Sequence, residues 1–192
     1  MIHRHFIVHK PLGFVSQFVY PHKRQKGLLG DLYDFPPNTM AIGRLDTDSE
    51  GLLLLTTDGK VSSMVRSSRV EKEYIVQLDG IIDQPAIIKL KQGVEIGYKG
   101  IKYITNPCEA NIIPAPDIPN RTKKIRDERH GPTSWASITL KEGKYRQVRK
   151  MTAAVGFPTL RLIRIRIGNL YLGDLKAGEV KEVHNFFLTD SQ

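Results

Sequence analysis

The sequence lacks the features on which several classes of protein depend. Its 192 residues include a single cysteine, Cys108, which excludes an intramolecular disulfide and a zinc site of four cysteines. No hydrophobic run approaches the ~20 residues that a membrane-spanning helix requires, and the first residues have no apolar signal-peptide core. The histidines include no H-E-x-x-H motif, in which two histidines on one face of a helix bind zinc. These absences favour a cytoplasmic protein that binds neither a metal nor a membrane.

Positive charge is present in excess and is unevenly distributed. The net charge is +9, with 14 Lys and Arg against 13 Asp and Glu in residues 1–120, and 15 against 7 in residues 121–192. Such asymmetry favours binding to a polyanion, most often a nucleic acid, although a merely soluble basic surface explains the charge alone equally well. The hydrophobic content of 40% is sufficient for a folded core, in one large domain or two small lobes.

The most informative stretch is an acidic loop at residues 43–51 that contains Asp46. Four leucines and two threonines follow it, a pattern that predicts a short buried strand. Asp58 then stands where a side chain caps the first amides of a short helix. Asp46 is therefore predicted to lie in a loop held against the core.

The same loop has two other interpretations. Asp46, Asp48 and Glu50 match the first half of a calcium loop, in which alternate oxygens converge on one ion. The match fails at the twelfth position, where Thr57 stands in place of a bidentate Glu. The plainer alternative is that these acids are ordinary turn and capping residues.

Other segments show the periodicity of strands and helices. Residues 70–80 alternate in polarity, which predicts a strand with Lys72 and Tyr74 on one face. Further strands are predicted at 6–10, 14–18, 94–96, 101–104, 134–140 and 162–168, and helical segments at 28–33, 83–92 and 143–155.

Three basic elements lie in the C-terminal third of the chain. They are a proline-flanked loop, a helix with cations at positions i, i+3 and i+4, and a strand with alternating arginines. Their cationic residues are Lys123, Lys124, Arg126 and Arg129 in the loop, Arg146, Arg149 and Lys150 in the helix, and Arg164 and Arg166 in the strand. Each element alone is explained by a solvated face, but together they favour a shared surface for RNA or DNA.

Five segments resemble the pseudouridine synthases that act on ribosomal RNA. They are H-K-P-L-G at 9–13, G-R-L-D-T-D-S-E-G-L-L-L-L-T-T-D-G at 43–59, K-E-Y-I-V at 72–76, G-K-Y-R-Q-V-R-K-M at 143–151 and R-L-I-R-I-R-I-G at 161–168. The resemblance implies an α/β (α+β) fold with two lobes, roughly 1–70 and 71–192, on a mixed, largely antiparallel bent sheet with a cleft between them. It also implies a single catalytic domain without the N-terminal S4-type module that most relatives carry. His9 stands where many relatives have Asn.

The resemblance also implies roles for individual residues. Asp46 corresponds to the nucleophile or base that starts glycosidic cleavage, and Arg149 to the arginine that pairs with it. Tyr74 corresponds to the tyrosine that stacks on the base and helps to remove the C5 proton. Arg44 corresponds to the arginine that fills the space left by the flipped nucleotide.

The implied partner is ribosomal RNA of the large subunit or its precursor. Lys10, at the mouth of a turn, and Lys72, beside Tyr74, are predicted to contact it with the basic residues named above. No cofactor, DNA or membrane is expected, and the protein is expected to be a monomer. The alternative is a non-catalytic RNA-binding or ribosome-assembly protein on the same fold. The complete set of Arg44, Asp46, Tyr74 and Arg149 favours the enzyme, because RNA affinity alone requires only basic residues.

Overall fold

A computed structural model describes residues 2–19, 26–66, 70–119, 121, 123, 125 and 128–186. In chain order the strands are β1 (His5–Lys10), β2 (Met40–Ile42), β3 (Glu50–Thr56), β4 (Lys72–Asp79), β5 (Glu95–Tyr98), β6 (Ile101–Ile104), β7 (Glu109–Ile113), β8 (Thr133–Leu140), β9 (Thr159–Ile167), β10 (Leu170–Tyr171) and β11 (Val180–Val183). The helices are α1 (Gly59–Arg66), α2 (Gln84–Gln92) and α3 (Gln147–Ala154), and short 3₁₀ turns occupy Leu29–Asp31 and Glu128–His130. None of these described helices is long and apolar enough to cross a membrane.

The chain divides into two compact units. The first consists of Met1–Val70 together with Ile163–Gln192, and the second of Glu71–Leu162. The predicted lobes, roughly 1–70 and 71–192, place the C-terminal residues in the second lobe, whereas their strands β9 and β11 pair with strands of the first unit. There β11 pairs with β1, and β9 pairs with β3.

The first unit is organised around β3. This strand pairs antiparallel with β1 and β2 and parallel with β9. All its residues are buried, because alternate side chains enter two different hydrophobic clusters. Leu52 and Leu54 pack in one cluster, and Leu53 and Leu55 in the other. The predicted buried strand is therefore confirmed.

Helix α1 follows β3 as the sequence predicts. The Asp58 carboxylate accepts a 2.8 Å hydrogen bond from the Lys60 amide, which would otherwise lack a partner in the first turn. Val65 of the helix packs in the same cluster as Leu52 and Leu54. Helix α1 thus anchors the end of β3 to the core. The loop that carries Asp46 leads directly into β3 and is therefore attached to the same core.

In the second unit, β8 lies between β4 and β7. The β4–β8 and β7–β8 pairs are antiparallel, and β5 and β6 form a separate antiparallel hairpin. Helix α2 begins after Asp83, whose carboxylate accepts a 2.9 Å hydrogen bond from the Ala86 amide. The predicted mixed, largely antiparallel α/β fold is confirmed.

One predicted strand does not form. Residues 14–18 make only a single bridge, between Phe14 and Gly27, and not a ladder. The Phe14 carbonyl accepts a 2.8 Å hydrogen bond from the ammonium of Lys10, and Val15 donates to the Gly27 carbonyl at 2.9 Å. Their backbone groups are thus satisfied without a neighbouring strand.

Candidate active site

The loop that carries Asp46 is held in place by backbone hydrogen bonds. The buried hydroxyl of Ser16 accepts from the Leu45 amide at 2.9 Å and donates to the Leu45 carbonyl at 3.0 Å. The Gly13 amide donates to the Thr47 carbonyl at 2.8 Å, and the Ser49 amide donates to the Asp46 carbonyl at 3.0 Å. Asp46 itself is half-buried. The prediction that this residue lies in a fixed loop is confirmed.

The calcium interpretation does not fit this environment. Strands β2 and β3 flank the loop, whereas the calcium loop that its spacing suggested is flanked by helices. Thr57 lies beyond the far end of β3, so it is separated from the acids by an extended strand. Within the described ranges, no group of three or more His, Cys, Asp and Glu side chains is placed to hold a metal ion.

Lys10 is completely buried and belongs to the same unit as Asp46. Its ammonium donates to the carbonyls of Pro11 at 3.0 Å and Phe14 at 2.8 Å. Burial lowers the pKa of Lys10 to about 8. The nearby carboxylates raise this pKa and partly offset the effect of burial, Glu50 more than Asp46. In this arrangement the side chain does not reach the surface, where its contact with RNA was predicted, and its charge interacts with the carboxylates of Glu50 and Asp46.

Arg164 on β9 is, like Lys10, a buried cation of the first unit, with 3% of its surface exposed. Its Nε donates to the Leu52 carbonyl at 2.8 Å, and its Nη2 is buried without a hydrogen-bond partner. The sequence predicted Arg164 on a basic surface shared with other elements and open to RNA, but this side chain is buried. The neighbouring Arg166 is half-exposed and donates to the Gly168 carbonyl at 2.9 Å.

Gly51 explains how β3 and β9 approach so closely. A Cβ at this position would lie 2.3 Å from the backbone oxygen of Arg164, and the φ angle of Gly51 is +107°. Only glycine satisfies both conditions without strain. Gly51 is also opposite Lys10 in the β1–β3 register, so it separates the two buried cations.

Two other predicted catalytic residues belong to the second unit. Tyr74 on β4 is 9% exposed and lies opposite Ile138 of β8. Arg149 on α3 is half-buried and donates from Nη1 to the Thr159 carbonyl at 3.2 Å. Their catalytic roles stay predictions.

The remaining predicted RNA contacts differ in exposure. Arg44, Lys123 and Arg129 are exposed, and Lys72 and Arg146 are half-buried. Lys150 donates to the Gly97 carbonyl at 2.7 Å. Lys124 and Arg126 lie outside the described residues.

Ser16 is a residue that sequence reasoning missed. It stands between Val15 and Gln17 in a segment with no motif, so nothing local indicates that its hydroxyl holds Leu45, twenty-nine positions later. The only usable signal is that a serine follows the H-K-P-L-G segment in a run of hydrophobic residues.

Residues 4–154, most of the chain, match the family of RNA pseudouridylate synthases. The chain therefore belongs to this family and is a pseudouridine synthase, an enzyme of the isomerase class.

Its relatives include two proteins named ribosomal large subunit pseudouridine synthase E. The protein from Vibrio parahaemolyticus is 41% identical over 181 residues, which cover 92% of this chain and 72% of that protein. The protein from Xanthomonas axonopodis is 38% identical over 172 residues, 88% of each chain. A crystal structure of a pseudouridylate synthase, 28% identical, matches with a TM-score of 0.74 over 94% of this chain and 70% of that one.

Proposed function

We propose that this enzyme converts one uridine of large-subunit (23S) ribosomal RNA, or of its precursor, to pseudouridine, with Asp46 as the reacting carboxylate. The names of the relatives support the choice of RNA. The observation that carries the assignment of Asp46 is its loop, which is fixed by Ser16 and Gly13 and whose carboxylate interacts with the buried ammonium of Lys10. A reacting group must be held in position in this way.

The reaction balances without a cofactor. The N1–C1′ glycosidic bond breaks and a C5–C1′ bond forms, while a proton leaves C5 and a proton is gained at N1. No electrons are exchanged with a third molecule, and one carboxylate suffices as nucleophile or base.

Positive charge near Asp46 supports the ionised form that this chemistry needs. A partly buried carboxylate without a nearby cation would tend to bind a proton. The Lys10 ammonium is close enough for Asp46 to raise the pKa of Lys10, although burial of Lys10 lowers it by more. Lys10 is therefore a source of positive charge within the same unit as the reacting group.

The other roles follow from the resemblance. Tyr74 is proposed to stack on the uracil and help to remove the C5 proton, and Arg149 to stabilise the carboxylate. The target base must leave its stack before it can react, and the exposed Arg44 is proposed to occupy the vacated space.

A single-turnover assay of Asp46→Asn tests the assignment. Purified protein in excess is mixed with ribosomal RNA, and pseudouridine is quantified with time. Asp46→Asn should retain less than about a thousandth of the wild-type rate, because it removes an essential anionic oxygen. It should bind the RNA almost as tightly as the wild type, because the basic residues are unchanged.

Asp48→Asn is the matched control, since it removes a carboxylate from the same loop. It should retain most of the wild-type rate. Equal losses of single-turnover rate in both variants would show that the reaction depends on the total negative charge of the loop and not on Asp46 itself. Full activity of Asp46→Asn would exclude Asp46 as the reacting group. A wild-type protein that binds ribosomal RNA and modifies none of its uridines would favour the non-catalytic alternative.

A further inference from the structure

A cluster of tyrosines and lysines lies on the β5–β6 hairpin and on the adjacent start of α3. We define the tyrosine–lysine patch as Tyr98, Tyr103 and Tyr145 with Lys99, Lys144 and Lys150. All six residues belong to the second unit. They lie apart from Asp46 in the sequence, and the catalytic roles proposed above use none of the three tyrosines.

The cations of the patch lie over its aromatic rings. The Lys144 ammonium is 5.3 Å from the ring centroid of Tyr98 and 5.0 Å from that of Tyr103. Lys99 lies 5.5 Å from the Tyr98 centroid, and the two rings are 6.0 Å apart. Positive charge alternates here with flat π surfaces, which is the composition of surfaces that bind single-stranded nucleic acid.

The third ring is the most accessible. Tyr145 is 68% exposed, and the Lys150 ammonium lies 5.4 Å from its centroid. Covering a large exposed aromatic ring with a flat apolar partner removes its surface from water and is therefore favourable in free energy. Tyr145 is thus available to stack with a base.

The acidic residue that contacts Tyr103 is occupied by internal contacts. Glu142 is buried and accepts hydrogen bonds from the Tyr103 hydroxyl at 2.6 Å, the Asn106 amide at 2.8 Å and the Gln147 side chain at 2.6 Å. These bonds fix the Tyr103 ring and keep the Glu142 carboxylate out of solvent, and Glu95 of the same hairpin is paired with Lys102 at 3.0 Å. The patch therefore presents net positive charge and complements a polyanion.

The patch is attached to the helix that carries Arg149. Lys150, the next residue of α3, donates from its ammonium to the Gly97 carbonyl of the hairpin at 2.7 Å. RNA bound on the hairpin would consequently be held beside α3.

We propose that the tyrosine–lysine patch binds unpaired nucleotides that flank the target uridine, with one base stacked on Tyr145 and phosphates near Lys99, Lys144 and Lys150. This inference rests on the proposed action on ribosomal RNA. The partner is single-stranded because a regular duplex keeps its base faces stacked on one another and offers none to a tyrosine. A protein partner would not require this density of cations around the rings.

Binding of a short RNA tests the inference. The probe is a fluorescein-labelled, unstructured 12-nucleotide RNA without uridine, so that binding is measured by anisotropy apart from any reaction. Tyr145→Leu should raise Kd by roughly 5-fold or more, the loss expected for one base–aromatic stack. Tyr145→Phe should bind like the wild type, because it keeps the ring. Tyr171→Leu is the matched control, since Tyr171 is 63% exposed in the first unit, and its Kd should not change.

Salt dependence tests the lysines separately. Lys99 has a φ of +51°, which asparagine tolerates, so Lys99→Asn removes the charge with little strain. It should reduce the slope of log K against log salt by about 0.7, whereas Lys181→Asn, an exposed lysine of β11, should leave the slope unchanged.

Three outcomes would overturn the inference. The first is that Tyr145→Leu binds the 12-nucleotide RNA with the wild-type Kd. The second is that Tyr145→Phe raises this Kd as much as Tyr145→Leu does. The third is that Tyr145→Leu weakens binding to a 12-base-pair duplex as much as binding to the single strand. If the wild-type protein modifies no ribosomal uridine, the proposed function fails, while the anisotropy results still decide whether the patch binds single strands.

Discussion

Replacing Lys10 with methionine should change how the stability of the protein depends on pH. The pKa of Lys10 is lowered by burial from 10.5 to about 8 in the folded protein, so the unfolded chain binds this proton more tightly. Stability must therefore rise with pH between about 8 and 10.5, and this contribution is constant below about pH 8, where both states are protonated. From pH 7.5 to pH 9.5 the gain from Lys10 is about 2 kcal/mol.

Urea denaturation at pH 7.5 and 9.5 measures this gain. Methionine has the unbranched shape of the lysine stem but does not titrate, so the wild type should gain about 2 kcal/mol relative to Lys10→Met over this interval. Burial also raises the pKa of Cys108 to about 11, which opposes the gain by lowering stability as pH rises from about 9 to 11. That contribution is common to both proteins and cancels in the difference.

Lys181→Met provides the control. Lys181 is exposed on β11 of the same unit, so its replacement should shift the free energy of unfolding equally at both pH values. A difference between wild type and Lys10→Met that changes by less than about 0.5 kcal/mol would refute the reasoning. It would mean that Lys10 is solvated in the folded protein.

Three further substitutions test other contacts. Gly51→Ala should lower the free energy of unfolding in urea by more than about 3 kcal/mol, because its Cβ would collide with the Arg164 backbone; a loss below about 1 kcal/mol would contradict the close approach. Ser16→Ala should cost about 1–3 kcal/mol by the same measurement, since it leaves the buried Leu45 amide and carbonyl without partners; an unchanged stability would contradict this role. Arg149→Ala should lower the single-turnover rate at saturating RNA by about 100-fold while hardly changing the salt dependence of binding; loss of affinity alone would assign Arg149 to RNA binding.

Local patterns in the sequence were sufficient to predict the elements that depend on residues close together in the chain. The leucine run predicted β3 because both faces of a central strand are buried, and Asp58 predicted the start of α1 because capping acts within three residues. Strands β2, β10 and β11 are two to four residues long, and their own residues did not indicate a strand. They form because each of them pairs with a longer strand.

The buried cations could not be predicted in the same way. Lysine and arginine are almost never fully buried, so their expected place is the surface. Lys10 and Arg164 are buried because the register of three strands places both beside Gly51. That register joins distant segments and has no local signature. The family resemblance identified Asp46 as the residue to examine, but only the structure shows which groups hold its loop.

The discontinuity of the first unit has a consequence for the order of folding during synthesis. Strands β1 and β3 leave the ribosome early, but their neighbours β9 and β11 are made only after the whole second unit. The second unit is continuous in sequence, so it has all its residues before the first unit does. Until then, β1 and β3 each have an open edge that can pair with another chain. A nascent chain that stalls before residue 180 would therefore expose a hydrophobic strand edge that the finished protein covers.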